Sequence, residues 1–331
     1  MKKLFSTLLT LIFVLSFGSV AFATDNGSSG YTDAENINFG KQYKIMNVNN
    51  VSPLETFIFK IEKFNVSDSQ YTLETMPMFD PATFTIDFAE GEATLVGDVN
   101  IAPVALPVYD YVGIYSYKLT EIPGNTAGVM YEPQTLILKI TVINDNGVLK
   151  RIPALRYMLG KEKTQNFNNE YSAGDLAVKK TVTGNLGDRE KNFTVEVTFT
   201  APEGKVVKAP IKYMNDGFEE EIVKADWVDG KVTATITLKH DETITFTNIP
   251  YGVSYQVKEA DYSGDGYAAP VYSKETGVIN VAAEGVEITN NKNADVDTGI
   301  SLDSIPYIMI LGLAVLGISG LFLRRRKNTN F

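Results

Sequence analysis

From about residue 36 to residue 292 the chain runs in short segments of alternating apolar and polar side chains, broken by Pro, Gly, Asn and Asp. Thr56-Phe57-Ile58-Phe59-Lys60-Ile61 is one such run; residues 134–143, 193–199 and 231–238 are others. A period of two sends successive side chains to opposite faces of a strand. Tyr, Phe, Val, Ile and Thr are plentiful, and no window sustains a 3.6-residue period before residue 305. Many short strands punctuated by turns predict an all-β chain of sandwiches.

The pattern repeats once. Each half opens on a similar strand, Ile37-Asn38-Phe39-Gly40-Lys41 and Leu176-Ala177-Val178-Lys179-Lys180. Each later carries a tyrosine-containing strand ending in glutamate, residues 115–121 and 255–259, and closes on an apolar residue and an asparagine, Phe167-Asn168-Asn169 and Ile288-Thr289-Asn290. Lys41 to Glu121 spans 80 positions and Lys180 to Glu259 spans 79. Two tandem immunoglobulin-like β-sandwich domains are therefore expected, over 36–172 and 173–292, with a flexible leader at 24–35. Trp227 and the tyrosine stripe are expected to pack in the cores.

The two ends break this pattern. Lys2 and Lys3 precede an apolar stretch over residues 4–17 and an Ala21-Phe22-Ala23 site, the layout of a signal peptide cleaved between Ala23 and Thr24. Residues 305–323 carry no charge and are followed by Arg324, Arg325, Arg326 and Lys327. That length can span a bilayer, and the basic tail over 324–331 would stay cytoplasmic, leaving the preceding chain outside the cell. In the linker over 293–304, Val296-Asp297-Thr298-Gly299 precedes the span. Thr-Gly, spacer, apolar span and basic tail form the order of a cell-wall sorting signal, cut by a sortase between Thr298 and Gly299.

Composition narrows the function classes. Without the processed ends, Lys and Arg fall from 30 to 24 and Asp and Glu from 40 to 39, so the formal net charge moves from −10 to −15. A surface this acidic argues against a nucleic-acid partner. There is no cysteine, so a disulfide brace is unavailable, and one histidine, His240, leaves no Cys/His metal site or histidine triad. No cofactor or metal is expected.

Strand parity then singles out six polar residues. Lys41 shares its face with Phe39 and Tyr43, and Lys180 with Val178 and Val182; Glu121 follows Tyr117 and Leu119, and Glu259 follows Tyr255 and Val257. Asn290 follows Ile288, and Asn169 follows Phe167 on a strand too short to decide; Asn168, Asn291 and Asn293 stay open as alternatives. Lys179, of opposite parity, is expected in solvent. Burying such groups without partners costs several kcal/mol each, so they require a shared purpose. A desolvated lysine loses its proton and becomes a nucleophile, and a carboxylic acid in the same dry pocket can polarise an amide and carry protons. The asparagine carboxamide is then the electrophile and ammonia the leaving group. Ordering both in a folded core supplies an effective molarity on the order of 10⁵ M or more.

Phe57-Ile58-Phe59-Lys60-Ile61-Glu62, Tyr117-Lys118-Leu119-Thr120-Glu121, Asn248-Ile249-Pro250-Tyr251-Gly252 and the stretch from Ile288 to the Thr-Gly resemble the major backbone pilins of streptococci and their relatives, with streptococcal-type isopeptide-linkage domains. The resemblance covers residues 36–299. It implies a Lys41–Asn169 bond promoted by Glu121 and a Lys180–Asn290 bond promoted by Glu259. It also implies head-to-tail polymerisation of identical subunits by a pilus sortase, with minor pilins and peptidoglycan as further partners. The acceptor lysine of those pilins precedes the closing asparagine of the first domain, which here points to Lys161 or Lys163, with Lys163 preferred. Asp297 stands where they carry proline. A monomeric wall-anchored adhesin is the second reading; a ladder of SDS-resistant species separates the two. Turnover on an external substrate is not expected.

Overall fold

The computed structural model describes residues 30–131, 135–158, 163 and 166–294. Ala23 and Thr24, Lys161, Thr298 and Gly299, the apolar span and its basic tail lie outside the described residues. The chain is all-β. Its first sandwich comprises β1 (Asn36–Ile45), β2 (Glu55–Ser67), β3 (Thr83–Phe88), β4 (Asp98–Ala105), β5 (Gly113–Ile122), β6 (Val129–Met130), β7 (Thr135–Asp145), β8 (Val148–Tyr157) and β9 (Asn166–Tyr171). One sheet runs β4-β1-β9-β6 and the facing sheet β3-β2-β5-β7-β8.

The second sandwich comprises β10 (Ala173–Thr183), β11 (Phe193–Thr200), β12 (Ile211–Asn215), β13 (Phe218–Ile222), β14 (Lys231–Leu238), β15 (Thr243–Pro250), β16 (Ser254–Glu259), β17 (Val271–Tyr272), β18 (Thr276–Val278) and β19 (Ala283–Asn291). Its sheets run β13-β12-β15-β10-β19-β17 and β14-β11-β16-β18. In each domain the first and last strands lie side by side and parallel, β1 with β9 and β10 with β19. A parallel pair cannot be closed by a hairpin, so the whole domain serves as its crossover.

Alternation follows burial closely. In β2 the inward Phe57, Phe59 and Ile61 are buried while Thr56, Ile58 and Lys60 face out. Tight hairpins use residues that tolerate positive φ: Asn146-Gly147 between β7 and β8 at +55° and +86°, and Asp216-Gly217 between β12 and β13 at +50° and +82°. Trp227 packs half-buried against the second core.

The leader expected over 24–35 is held down over its last residues. Asp33 pairs with Arg151 (Oδ2 to Nη2 2.6 Å), Ala34 N donates to Arg151 O, and Leu106 N donates to Glu35 O.

Ser172 alone separates β9 from β10, and the domains meet through polar contacts. Glu55, buried, accepts from Thr126 Oγ1 at 2.5 Å, from Tyr131 OH at 3.1 Å and, across the joint, from Lys208 Nζ at 3.0 Å. Asn248, at φ +63°, donates to Val51 O and Pro210 O and accepts from Val51 N. Ala127 N donates to Val206 O, and Val206 N to Asn125 O.

Candidate functional site

Each domain gathers one lysine, one glutamate and one asparagine in its interior. In the first, Lys41 on β1 and Asn169 on β9 belong to one sheet, and Glu121, at the end of β5, reaches in from the facing sheet. Lys41 faces Phe167 and Asn169 faces Tyr43, so the asparagine lies one strand over and two residues along on the same face. The second domain repeats this register: Lys180 faces Ile288 and Asn290 faces Val182, with Glu259 closing β16 opposite.

Lys41 Nζ donates to Glu121 Oε2 at 2.7 Å, and Asn169 Nδ2 donates to Glu121 Oε1 at 2.5 Å. Lys180 Nζ lies 2.7 Å from Glu259 Oε1, close but not aligned for a directed hydrogen bond, and Asn290 Nδ2 donates to Glu259 Oε2 at 2.6 Å. One carboxyl group therefore touches both the amine and the carboxamide, an oxygen for each. Lys41 and Lys180 are 0% exposed and Asn169 and Asn290 1%. The Asn290 Oδ1 atom has no hydrogen-bond partner among the described residues. Burial pushes the Lys180 amine below its ordinary value, with the Glu259 carboxylate opposing.

The alternatives left by the sequence separate by burial. Asn168 and Asn291 are half-buried and point away from their sites, Asn293 is exposed, and Lys179 is solvent-facing. Lys163 is exposed and pairs in an antiparallel bridge with Arg156 at the free edge of β8.

Strand parity alone does not reveal the aromatic walls around the amines. The Lys41 amine sits over the Phe57 ring, 4.4 Å from its centroid, with Phe59 at 5.9 Å, and Lys180 sits over Phe193 at 4.2 Å. Phe57 shares the inward parity of β2, a signal that could have placed it. Tyr272 OH accepts from the Glu259 backbone N at 2.8 Å and so fixes the end of β16. This arrangement can exclude water from an amine and a carboxamide and move a proton between them. Among the described residues no group of acidic or histidine side chains is placed to hold a metal.

Residues 37–172 match the model of the Spy0128-like isopeptide containing domain, and residues 174–292 match a domain of unknown function, DUF7601. Over its length the chain is 29% identical to a pilin of Streptococcus pyogenes serotype M1, covering 94% of this chain and 96% of that protein. A shorter match, 32% identical, covers 39% of this chain and 18% of the pilus tip adhesin Cpa of Streptococcus pyogenes. The crystal structure of the major pilin from Streptococcus pyogenes shares the fold, with a TM-score of 0.55 at 21% identity over 80% of this chain and all of that one.

Proposed function

We propose that this chain, which belongs to the streptococcal-type major pilins and serves as a pilus backbone subunit, braces each domain with an internal Lys–Asn isopeptide bond and is polymerised by a sortase through Thr298. The observation that carries the first half is the bridging carboxyl, repeated in both domains. The neutral lysine amine attacks the asparagine Cγ. A new N–C bond forms, the bond to Nδ2 breaks, and ammonia departs. The glutamate takes the proton from the lysine nitrogen on one oxygen and delivers one to the leaving nitrogen from the other. Each site reacts once, so the chemistry is not turnover.

The bond would tie first strand to last, enclosing most of each domain. By analogy with a disulfide it adds about 3–5 kcal/mol through the unfolded state. Under tension it carries load between neighbouring strands by a covalent path, so the intervening fold cannot be drawn out. That suits a subunit of a surface fibre.

For polymerisation, a sortase cysteine would break the Thr298–Gly299 peptide bond and hold Thr298 as a thioester. The amine of Lys163 on the next subunit then forms an amide and frees the thiol. Exposure and a backbone bridge to a sheet edge support Lys163 as acceptor, with Lys161 as the neighbouring candidate. Minor pilins and peptidoglycan would terminate the fibre.

Intact mass tests the internal bonds. The mature chain is expected to be about 34 Da lighter than its sequence, about 17 Da for each ammonia lost. Glu121→Ala and Glu259→Ala should each restore half. A native mass equal to the sequence mass rejects the reading. For the intersubunit step, Lys163→Arg should abolish the SDS-resistant ladder while Lys161→Arg leaves it.

A further inference from the structure

The outward face of the five-stranded sheet carries a charge that the rest of the molecule does not lead one to expect. Register places its residues in rows, since directly opposed residues share a face. Across one row Glu62 faces Lys118, Lys118 faces Ile137, Ile137 faces Arg156, and Arg156 faces Lys163. Two residues along, Lys139 stands between Ser116 and Ala154, diagonal to both Lys118 and Arg156. Ile137 points outward, away from the core, yet is only 3% exposed. Its directly opposed neighbours are Lys118 and Arg156, whose long apolar stems can cover such a side chain.

Glu62 is the acid in this row, and Lys60 already pairs with it at 2.8 Å. Among the described residues Lys118, Lys139, Arg156 and Lys163 form no ion pair. Three cations and the exposed lysine thus share one face of a strongly acidic protein. With strands 4.7–4.9 Å apart, Lys118 and Arg156 stand about 10 Å from each other.

We propose that Lys118, Lys139 and Arg156 form the landing surface for the acidic segment 295–298 of a second copy of this chain, delivering its Thr298 to Lys163. The inference rests on the reading of Lys163 as acceptor. That segment is Asp295-Val296-Asp297-Thr298. Once Thr298 is joined to the lysine amine, the Cα atoms of Asp297 and Asp295 lie within roughly 6 and 13 Å of that nitrogen. This reach matches the breadth of the cationic rows, so both carboxylates can meet guanidinium or ammonium groups. Asp297 then has a role as an address read by the next subunit. Charge pairing of this kind governs encounter and orientation more than final strength, because the amide bond supplies the strength.

The test uses the full-length chain in a strain that assembles it, reading both the SDS-resistant ladder and cleavage after Thr298. Lys139→Glu with Arg156→Glu should lower polymer yield roughly tenfold, while cleaved monomer accumulates and remains trypsin-resistant, showing that it folds. Adding Asp295→Lys should recover a measurable part of the ladder. A doubly reversed chain that polymerises like the parent overturns the surface, whatever residue accepts Thr298. Lys163→Arg probes the acceptor separately: a ladder lost there but kept in the charge reversal leaves the acceptor standing and the landing surface refuted. A ladder kept in Lys163→Arg but lost on charge reversal keeps the surface and moves the acceptor.

Discussion

In the N-terminal domain the Lys41 amine lies over Phe57 with Phe59 farther off, and makes a directed hydrogen bond to Glu121; in the C-terminal domain Lys180 lies over Phe193 and approaches Glu259 equally closely without alignment. Phe57 belongs to a broad aromatic core with edge contacts to Tyr43 and Phe88. Phe193 belongs to a small cluster with Val182, Tyr262 and Tyr267, and a second amine, Lys191, stands 5.9 Å from its ring. The constant features are the two-residue register offset between lysine and asparagine and the carboxyl that spans them. The aromatic wall varies, because any apolar surface can keep water from an amine, whereas a carboxyl group must touch both reactants.

The largest effect expected from breaking this comparison is loss of one of the two proposed isopeptide bonds. Asn169→Ala and Asn290→Ala should each destabilise their own domain by about 3–5 kcal/mol and lower its melting temperature by roughly 10–20 °C in calorimetry. The enclosed loops, about 130 and 110 residues, differ in closure entropy by only about 0.1 kcal/mol, so the two drops should match. A markedly unequal pair would show that one site is strained or that one bond does not form.

Next comes the wall. Phe193→Ala should slow bond formation, followed by mass after refolding, more than Phe57→Ala, since Phe59 still shields Lys41. Equal rates would mean that the rings only fill space.

The joint also holds a buried carboxyl, but among the described residues Glu55 pairs with Thr126, Tyr131 and Lys208 and with no asparagine. Glu55→Ala removes hydrogen bonds from Thr126, Tyr131 and Lys208 at once and leaves the Thr126 hydroxyl buried. A cost of about 1–3 kcal/mol is expected, visible as separation of the two domain transitions. Transitions that stay coincident would place the coupling elsewhere, at Asn248.

The smallest effect concerns pH. In Asn290→Ala, where the amine stays free, burial keeps Lys180 below its ordinary 10.5. The folded state then binds fewer protons than the unfolded one between the lowered value and 10.5, so this lysine's contribution to stability improves as pH rises through that window. A stability that instead falls across it would indicate that Glu259 outweighs desolvation.

Much of the site was legible because strand parity is local. Lys41, Glu121, Lys180, Glu259 and Asn290 could each be assigned to an apolar face from their neighbours two positions away. Asn169 could not, since the strand before it is short; pairing of β9 with β1 decides between it and Asn168. Glu55 shares inward parity with Phe57 and Phe59 and could have been noticed, but its partners Thr126 and Lys208 are 71 and 153 residues away. The cationic rows were invisible for the same reason, as Lys118, Lys139 and Arg156 become neighbours only through strand register.

By itself the sequence determined the all-β character, the repeat, and which side of each strand its polar residues take, because a period of two is written in consecutive side chains. Only the tertiary structure decided which strands adjoin, which asparagine meets which lysine, what shields the amines, and which cations gather beside Lys163. Those outcomes depend on pairing between segments far apart along the chain, which side-chain alternation constrains only to a face.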